Sequence, residues 1–315
     1  MLRNLWQRLP ARWRREARDL IELVLVPGLA AVLPWRWCFA IFKRLARVQW
    51  LYGAACADAL AQAQQRGQVP PADAERWLAV RRLVTLVDHA DHYLAITRSD
   101  AWMQRHLQVQ GQWPHPNAAG IFCTFHWGAG MWGLRHAHSA GLQGHALVAA
   151  MEGSPFAGRK VLQWYVQART RSVERALGRA PLVVSGSLRP VIQALRRNEQ
   201  VLAAVDVPSD QVDSSAEVSL LGMQALMPKG LLRLAVAQSV PVTVYVTGLD
   251  ICTRDSACCA LPLWACGRTW ILWSRRFLIF WRRRCAKSLL LGIFGARRRV
   301  FSAHRPLKFS IGQRP

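Results

Sequence analysis

Apolar residues at the start of the chain recur with helical spacing and are interleaved with arginine. Leu2, Leu5, Trp6, Leu9 and Trp13 alternate with Arg3, Arg8, Arg12, Arg14, Arg15 and Arg18, which predicts a basic amphipathic helix suited to an anionic lipid surface. Residues 20–33 follow, apolar except for Glu22 and bent at Pro27-Gly28, and the run continues through Pro34-Trp35-Arg36-Trp37 to Phe42. An unbroken membrane span needs about 20 apolar residues. Glu22, Pro27 and Arg36 interrupt this run, so the pattern predicts one short or tilted span, or an interfacial anchor, with the arginine-rich flank cytoplasmic. The small-residue cleavage site of a signal peptide is missing from it.

From residue 44 to 113 the spacing is helical: one helix over 51–66, and a second opened by Pro70-Pro71 with the early acids Asp73 and Glu75 and running to Thr97. After Ala118 the texture changes. Short apolar runs at 121–125, 146–150, 181–185, 201–207 and 240–246 alternate with amphipathic helices over 157–177, 188–197 and 229–238, the signature of α/β layering. The expected fold is α/β, a mixed sheet flanked by helices, with an N-terminal helical membrane-associated segment. The expected organisation is an amphipathic helix and anchor over 1–45, a helical platform over 46–117, an α/β core over 118–250, and a separate tail over 251–315.

Charge sharpens that division. The 315 residues carry 42 Lys+Arg against 18 Asp+Glu, a net +24, which calls for a polyanionic partner or surface. Residues 251–315 hold 14 of the basic side chains and a single acid, Asp255, together with five of the eight cysteines. This tail is compositionally unlike the rest. An arginine-, cysteine- and tryptophan-rich run almost free of acids is what a shifted reading of GC-rich coding DNA produces, so one expectation is translation outside the ancestral frame; the rival is a basic membrane-binding tail. Fifteen Trp against four Tyr lean toward a membrane interface. The cysteines lack the spacing of a disulfide framework or a zinc site, so reduced thiols and cytoplasmic exposure are expected.

The chemistry centres on Gly120-Ile121-Phe122-Cys123-Thr124-Phe125-His126-Trp127-Gly128-Ala129-Gly130-Met131. A strand ends, a histidine follows, and glycines open a helix, so an imidazole is expected beside free backbone N–H groups at a helix N-terminus. That arrangement suits a general base next to a developing oxyanion.

This block resembles the catalytic block of the lipid A biosynthesis acyltransferases, the lauroyl and myristoyl transferases of the lysophospholipid acyltransferase superfamily, which reads His, four residues, then Asp or Glu. The later pieces follow in the family's order over roughly residues 1–250. The stretch from Arg197 to Pro208 resembles the strand ending in Asp-x-Pro, with Asp206 as its acid; Leu220-Leu221-Gly222 through Pro228-Lys229-Gly230 resembles the apolar-Gly segment and Pro-x-Gly turn. The resemblance implies His126 as general base on an acceptor hydroxyl, an acyl carrier protein or acyl-CoA as thioester donor, and a lipid acceptor. It implies no cofactor and no metal, and a place on the cytoplasmic face of a bacterial inner membrane.

Met131 departs from the pattern, standing where the family has its acid. A thioether cannot fix the histidine tautomer or stabilise an imidazolium. Asp206, at a strand end, is the first candidate to substitute and Glu152 the second; a helix cap or turn role is the alternative for each. Gly128, Gly222 and Gly230 are expected to shape the substrate site. Arg159, ahead of a helix with Arg169, Arg171 and Arg175, is expected to hold phosphates or to lie on a solvated face. Asp88 and His92 share a helix face but lack a third metal ligand. His136 and His138 are read as surface residues, and Met223, Met227, Trp127 and Trp132 as core or acyl-pocket lining.

The function expected is therefore transfer of a fatty acyl group from a thioester to a hydroxyl of a glycolipid or related lipid. The alternative, favoured by Met131, is a catalytically silent relative that binds lipid or acyl carrier. Nucleic-acid binding is not expected, because no nucleic-acid-binding motif accompanies the charge.

Overall fold

A computed structural model describes residues 10–125, 128–149, 156, 158–184, 187–207, 214–220, 223–249 and 257–261. The chain is α/β, with a parallel sheet flanked by helices. The N-terminal part is helical: α1 (Ala11–Asp19), a π-helical turn (Leu20–Leu25), α2 (Val26–Val32), α3 (Trp35–Leu45), α4 (Gly53–Gln65), the long α5 (Ala74–Thr97) and α6 (Asp100–Arg105). Then come β1 (Leu107–Gly111), β2 (Gly120–Thr124), α7 (Gly130–Ser139), β3 (Gly144–Ala149), α8 (Lys160–Leu177), β4 (Leu182–Val184) and α9 (Arg189–Arg196). The series closes with β5 (Gln200–Ala204), β6 (Ser215–Leu220), β7 (Met223–Pro228), α10 (Gly230–Ala237), β8 (Val242–Val244), β9 (Val246–Leu249) and β10 (Ala257–Leu261).

Five strands form the central sheet in the order β4-β3-β5-β2-β8, every pair parallel. Mixed pairing is confined to a second sheet, β1-β10-β9, where β10 runs parallel to β1 and antiparallel to β9. Strand β10 is the described part of the tail, so the tail's first residues supply the middle strand of that sheet. An antiparallel hairpin, β6-β7, stands apart.

The central strands are buried on both faces, which is why they read as continuous apolar runs. In β2, Phe122 enters the core shared with the helical platform and α7, while Ile121 and Cys123 enter the core shared with α9 and α10. Helix α8 ends at Gly178, whose left-handed φ of 75° closes it as a glycine past a helix end does.

The run expected to form a short span or an interfacial anchor is broken into short helices. No described helix is long and apolar enough to cross a membrane. Residues 20–45 break into short pieces, and α2 and α3 pack on α5. The π-helical turn has a local cause: the Tyr93 hydroxyl donates to Leu23 O (2.7 Å), the Tyr52 hydroxyl donates to Glu22 O, and the Tyr52 N–H donates to Glu22 Oε1 (2.7 Å). Those donors satisfy groups that a regular helix would hold internally. Glu22, an oddity in an apolar run, is thus a half-buried acceptor in a protein contact.

Candidate functional site

The C-terminal edge of a parallel sheet is where such folds gather ligands. Here β2 and β5 are adjacent, in register Thr124↔Ala204, and Val205 N–H donates to Thr124 O at 2.9 Å. Asp206, 8% exposed, follows directly and so leaves the sheet beside the segment after β2. His126 and Trp127 lie outside the described residues, as do Glu152 and Gly222.

From Gly128 the turn into α7 is defined. Gly128 has φ +59°, and a Cβ there would meet Thr247 O at 3.0 Å, so both conformation and closeness to β9 require glycine. Gly130 N–H bonds Gly128 O at 3.0 Å, and Trp132 N–H bonds Ala129 O at 3.1 Å. The N-cap Ala129 has no side-chain acceptor to offer the first-turn N–H groups of α7. Gly230 opens α10, where a Cβ would meet only Leu188 Cδ1, at 3.9 Å.

Met131 turns its side chain into the core, 2% exposed. Its N–H donates to Asp91 Oδ2 at 2.6 Å. Asp91 lies on α5, is 0% exposed, and has no hydrogen-bond partner for Oδ1 among the described residues. Burial pushes its carboxyl up to about 8, against the pull of Arg169. Asp91 carries little signal in the sequence beyond its place in Asp88-His89-Ala90-Asp91-His92, four ionisable residues within five positions of α5.

The rest of that run is used within the protein. Arg169 reaches from α8 to Asp88 Oδ1 (2.7 Å) and to the Tyr165 hydroxyl (3.1 Å), which also bonds His89 Nδ1 (2.8 Å). Tyr52 stacks on His89 with ring centroids 5.5 Å apart. Burial holds His89 and His92 neutral, each near 4. Among the described residues no three His, Cys, Asp or Glu side chains gather as a metal site.

Arg159 gives two donors to Asp19, Nε to Oδ2 at 2.9 Å and NH2 to Oδ1 at 2.6 Å, while its side chain stays partly exposed. His136 is half-buried, taking a 2.8 Å bond from Trp113 Nε1, which corrects its reading as a surface residue; His138 is exposed. Trp132 and Met227 are core. A cavity of about 430 Å³ lies among the N-terminal helices, lined by Val32, Trp35, Trp37, Arg98, Trp102 and His106 among others. Arg98 there donates to Ala30 O and Leu33 O, closing the end of α2.

Compared with protein-family models and with curated proteins, the chain matches none.

Proposed function

We propose that the protein is a membrane-surface acyltransferase, moving a fatty acyl group from the thioester of an acyl carrier protein or CoA to a hydroxyl of a glycolipid or related lipid. The observation that supports this most is topological. The strand leading to His126 and the strand leading to Asp206 are neighbours in one parallel sheet, and the turn that follows β2 opens α7.

In this reading His126 takes the proton of the acceptor hydroxyl as its oxygen bonds to the thioester carbonyl carbon. Because the N–H groups of Gly130, Met131 and Trp132 are spent within the protein, the tetrahedral oxyanion is met in this reading by those of Gly128 and Ala129. Collapse breaks the C–S bond, and the imidazolium returns the proton to the departing thiolate. Exposed Trp13, Leu20, Leu25, Val32 and Trp37 beside Arg12, Arg15, Arg18 and Arg36 support docking on an anionic bilayer without a span.

The deciding experiment follows label from acyl carrier protein into total membrane lipid. Labelled lipid that disappears with His126→Ala supports the enzyme. No label from folded, membrane-bound protein across several donors moves the assignment to a silent binder of lipid or acyl carrier, the reading that the buried thioether of Met131 favours.

A further inference from the structure

The groove among the N-terminal helices is walled by aromatic rings. Trp35, on α3, is buried and Trp102, on α6, is half-buried, and both stand edge-on to Trp132 of α7, with ring centroids 6.2 and 5.8 Å away. His106 stacks on Trp102 at 4.2 Å and its Nδ1 bonds Trp102 O at 2.9 Å, so this wall is fixed before any ligand arrives. The cavity of about 430 Å³ falls among small-molecule sites, which span about 300–1,000 Å³. Its lip is apolar and stands in solvent, since Val32 and Trp37 are both exposed.

The two charged side chains on the lining are arginines, and no acid lines the groove with them. Arg36 is exposed and makes no hydrogen bond or ion pair among the described residues. Arg98 spends NH2 on Ala30 O and Leu33 O, which leaves its Nε and NH1 donors. The acid of α6, Asp100, is taken by Arg135. An apolar floor, an apolar lip and guanidinium groups without a counter-charge together suit an amphiphile with an anionic head. A soluble organic phosphate would satisfy the arginines and leave Val32 and Trp37 in water.

Resting on the membrane-surface part of the reading above, and not on acyl transfer, we propose that the groove takes one acyl chain of an anionic phospholipid out of the bilayer. The chain lies against Trp35 and Trp102, and the phosphate meets Arg36 and the remaining donors of Arg98. A cavity of this size holds one chain, so the second chain stays in the bilayer and the lipid tethers the protein to the surface.

Depth in the bilayer separates this from flat docking. Helices lying in an interface reach about 5–10 Å into it, whereas the end of an acyl chain lies near the midplane, about 15 Å down. The full chain is bound to vesicles of phosphatidylglycerol and phosphatidylcholine that contain phosphatidylglycerol with a diazirine at the end of one acyl chain. After irradiation the label is mapped by peptide mass spectrometry. Label per bound protein should concentrate on residues 98–106 and around Trp35. It should fall about fivefold in Arg36→Gln, the share of one arginine at an anionic surface, and largely return in Arg36→Lys. Vesicle-bound protein without label on those residues overturns the site and leaves surface docking intact. Label that Arg36→Gln does not lower overturns the phosphate contact that defines the ligand. Protein that ignores the vesicles overturns the surface reading, and native mass spectrometry with dioctanoylphosphatidylglycerol below its micelle threshold then decides the groove by itself. One lipid per chain, depleted in Arg36→Gln, keeps the site; no lipid, or a dimer without lipid, overturns it.

Discussion

Arg159 and Asp19, 140 residues apart in the chain, are joined by two parallel hydrogen bonds that fasten α1 to the start of α8. Glu16, one turn before Asp19, adds to the same junction, its carboxylate accepting from the N–H groups of Lys160 (2.8 Å) and Val161 (3.0 Å). A carboxylate at a helix N-terminus answers both the unpaired N–H groups and the helix dipole. Arg159→Ala leaves the Asp19 carboxylate, 6% exposed, without its cation. Because the arginine is itself partly solvated, the loss expected is modest, about 1–2 kcal/mol in chemical denaturation. Proteolysis should now cut between residues 10 and 25 in the variant and spare the wild type; equal cutting would mean that α1 is held by other contacts.

The buried histidines of α5 make stability depend on pH. His89 and His92 are each depressed to about 4 from 6.5, by burial. A histidine with a lowered folded value binds more protons unfolded, so its contribution is complete above 6.5 and is lost as pH falls toward 4. Asp91, raised to about 8, has the opposite sign in that window, and two groups outweigh one. The Tm should therefore drop between pH 6.5 and 4. His92 has no bond at Nδ1 among the described residues and lies edge-on to Tyr93 and Tyr165. His92→Phe should keep those ring contacts and remove about half of the histidine-driven fall. A Tm profile identical to wild type would show that His92 is charged or solvated in the fold.

Much of the core was legible because its physics is local. Residues 121–125, 201–207 and 240–246 read as strands since a parallel strand buried on both sides must be apolar throughout, and β2, β5 and β8 lie within those runs. Helices α8 and α9 were recognisable from amphipathic spacing and the Gly178 stop. Residues 20–42 read as a short or tilted span or an interfacial anchor, and no described helix is long and apolar enough to cross a membrane; apolar composition does not say whether the apolar partner is lipid or protein. Tyr52 and Tyr93, which answer the carbonyls of that segment, lie 30 and 70 residues away from it. Strands β1 and β10 escaped because their pairing joins residues 107 and 257. At the site, Asp206 was visible as a strand end, whereas the contact of Asp91 with Met131 N–H joins residues 40 apart and leaves no mark near Met131.

Gly133 marks the tightest contact between α7 and the sheet. A Cβ there would lie within the contact distance of Thr247 Oγ1 and 2.8 Å from the Tyr245 ring. Both neighbours are buried, Tyr245 and Thr247 each being 2% exposed, so neither can yield into solvent. Gly133→Ala should lower stability by about 1–3 kcal/mol despite alanine's better helix propensity. Thermal denaturation checks the sign; a stabilised variant would mean that α7 slides along β9 at little cost.

The exposed apolar residues of the N-terminal helices make the last prediction. Val32 and Trp37, 76% and 70% exposed, border one cavity and stand beside Arg36. In water such side chains gain nothing, whereas at a headgroup boundary the indole and valine bury while the guanidinium meets phosphate. Because contact through these short helices inserts few side chains, binding should depend on both apolar burial and charge. Sedimentation with vesicles containing phosphatidylglycerol should capture the protein, and pure phosphatidylcholine vesicles should capture much less. Trp37→Ala with Val32→Ala should weaken partition about tenfold or more, the scale of losing two buried apolar side chains. Raising the salt should weaken the wild type without abolishing its binding, since screening removes the charge contribution alone. If the double variant partitions like the wild type, this surface is not the one that meets lipid.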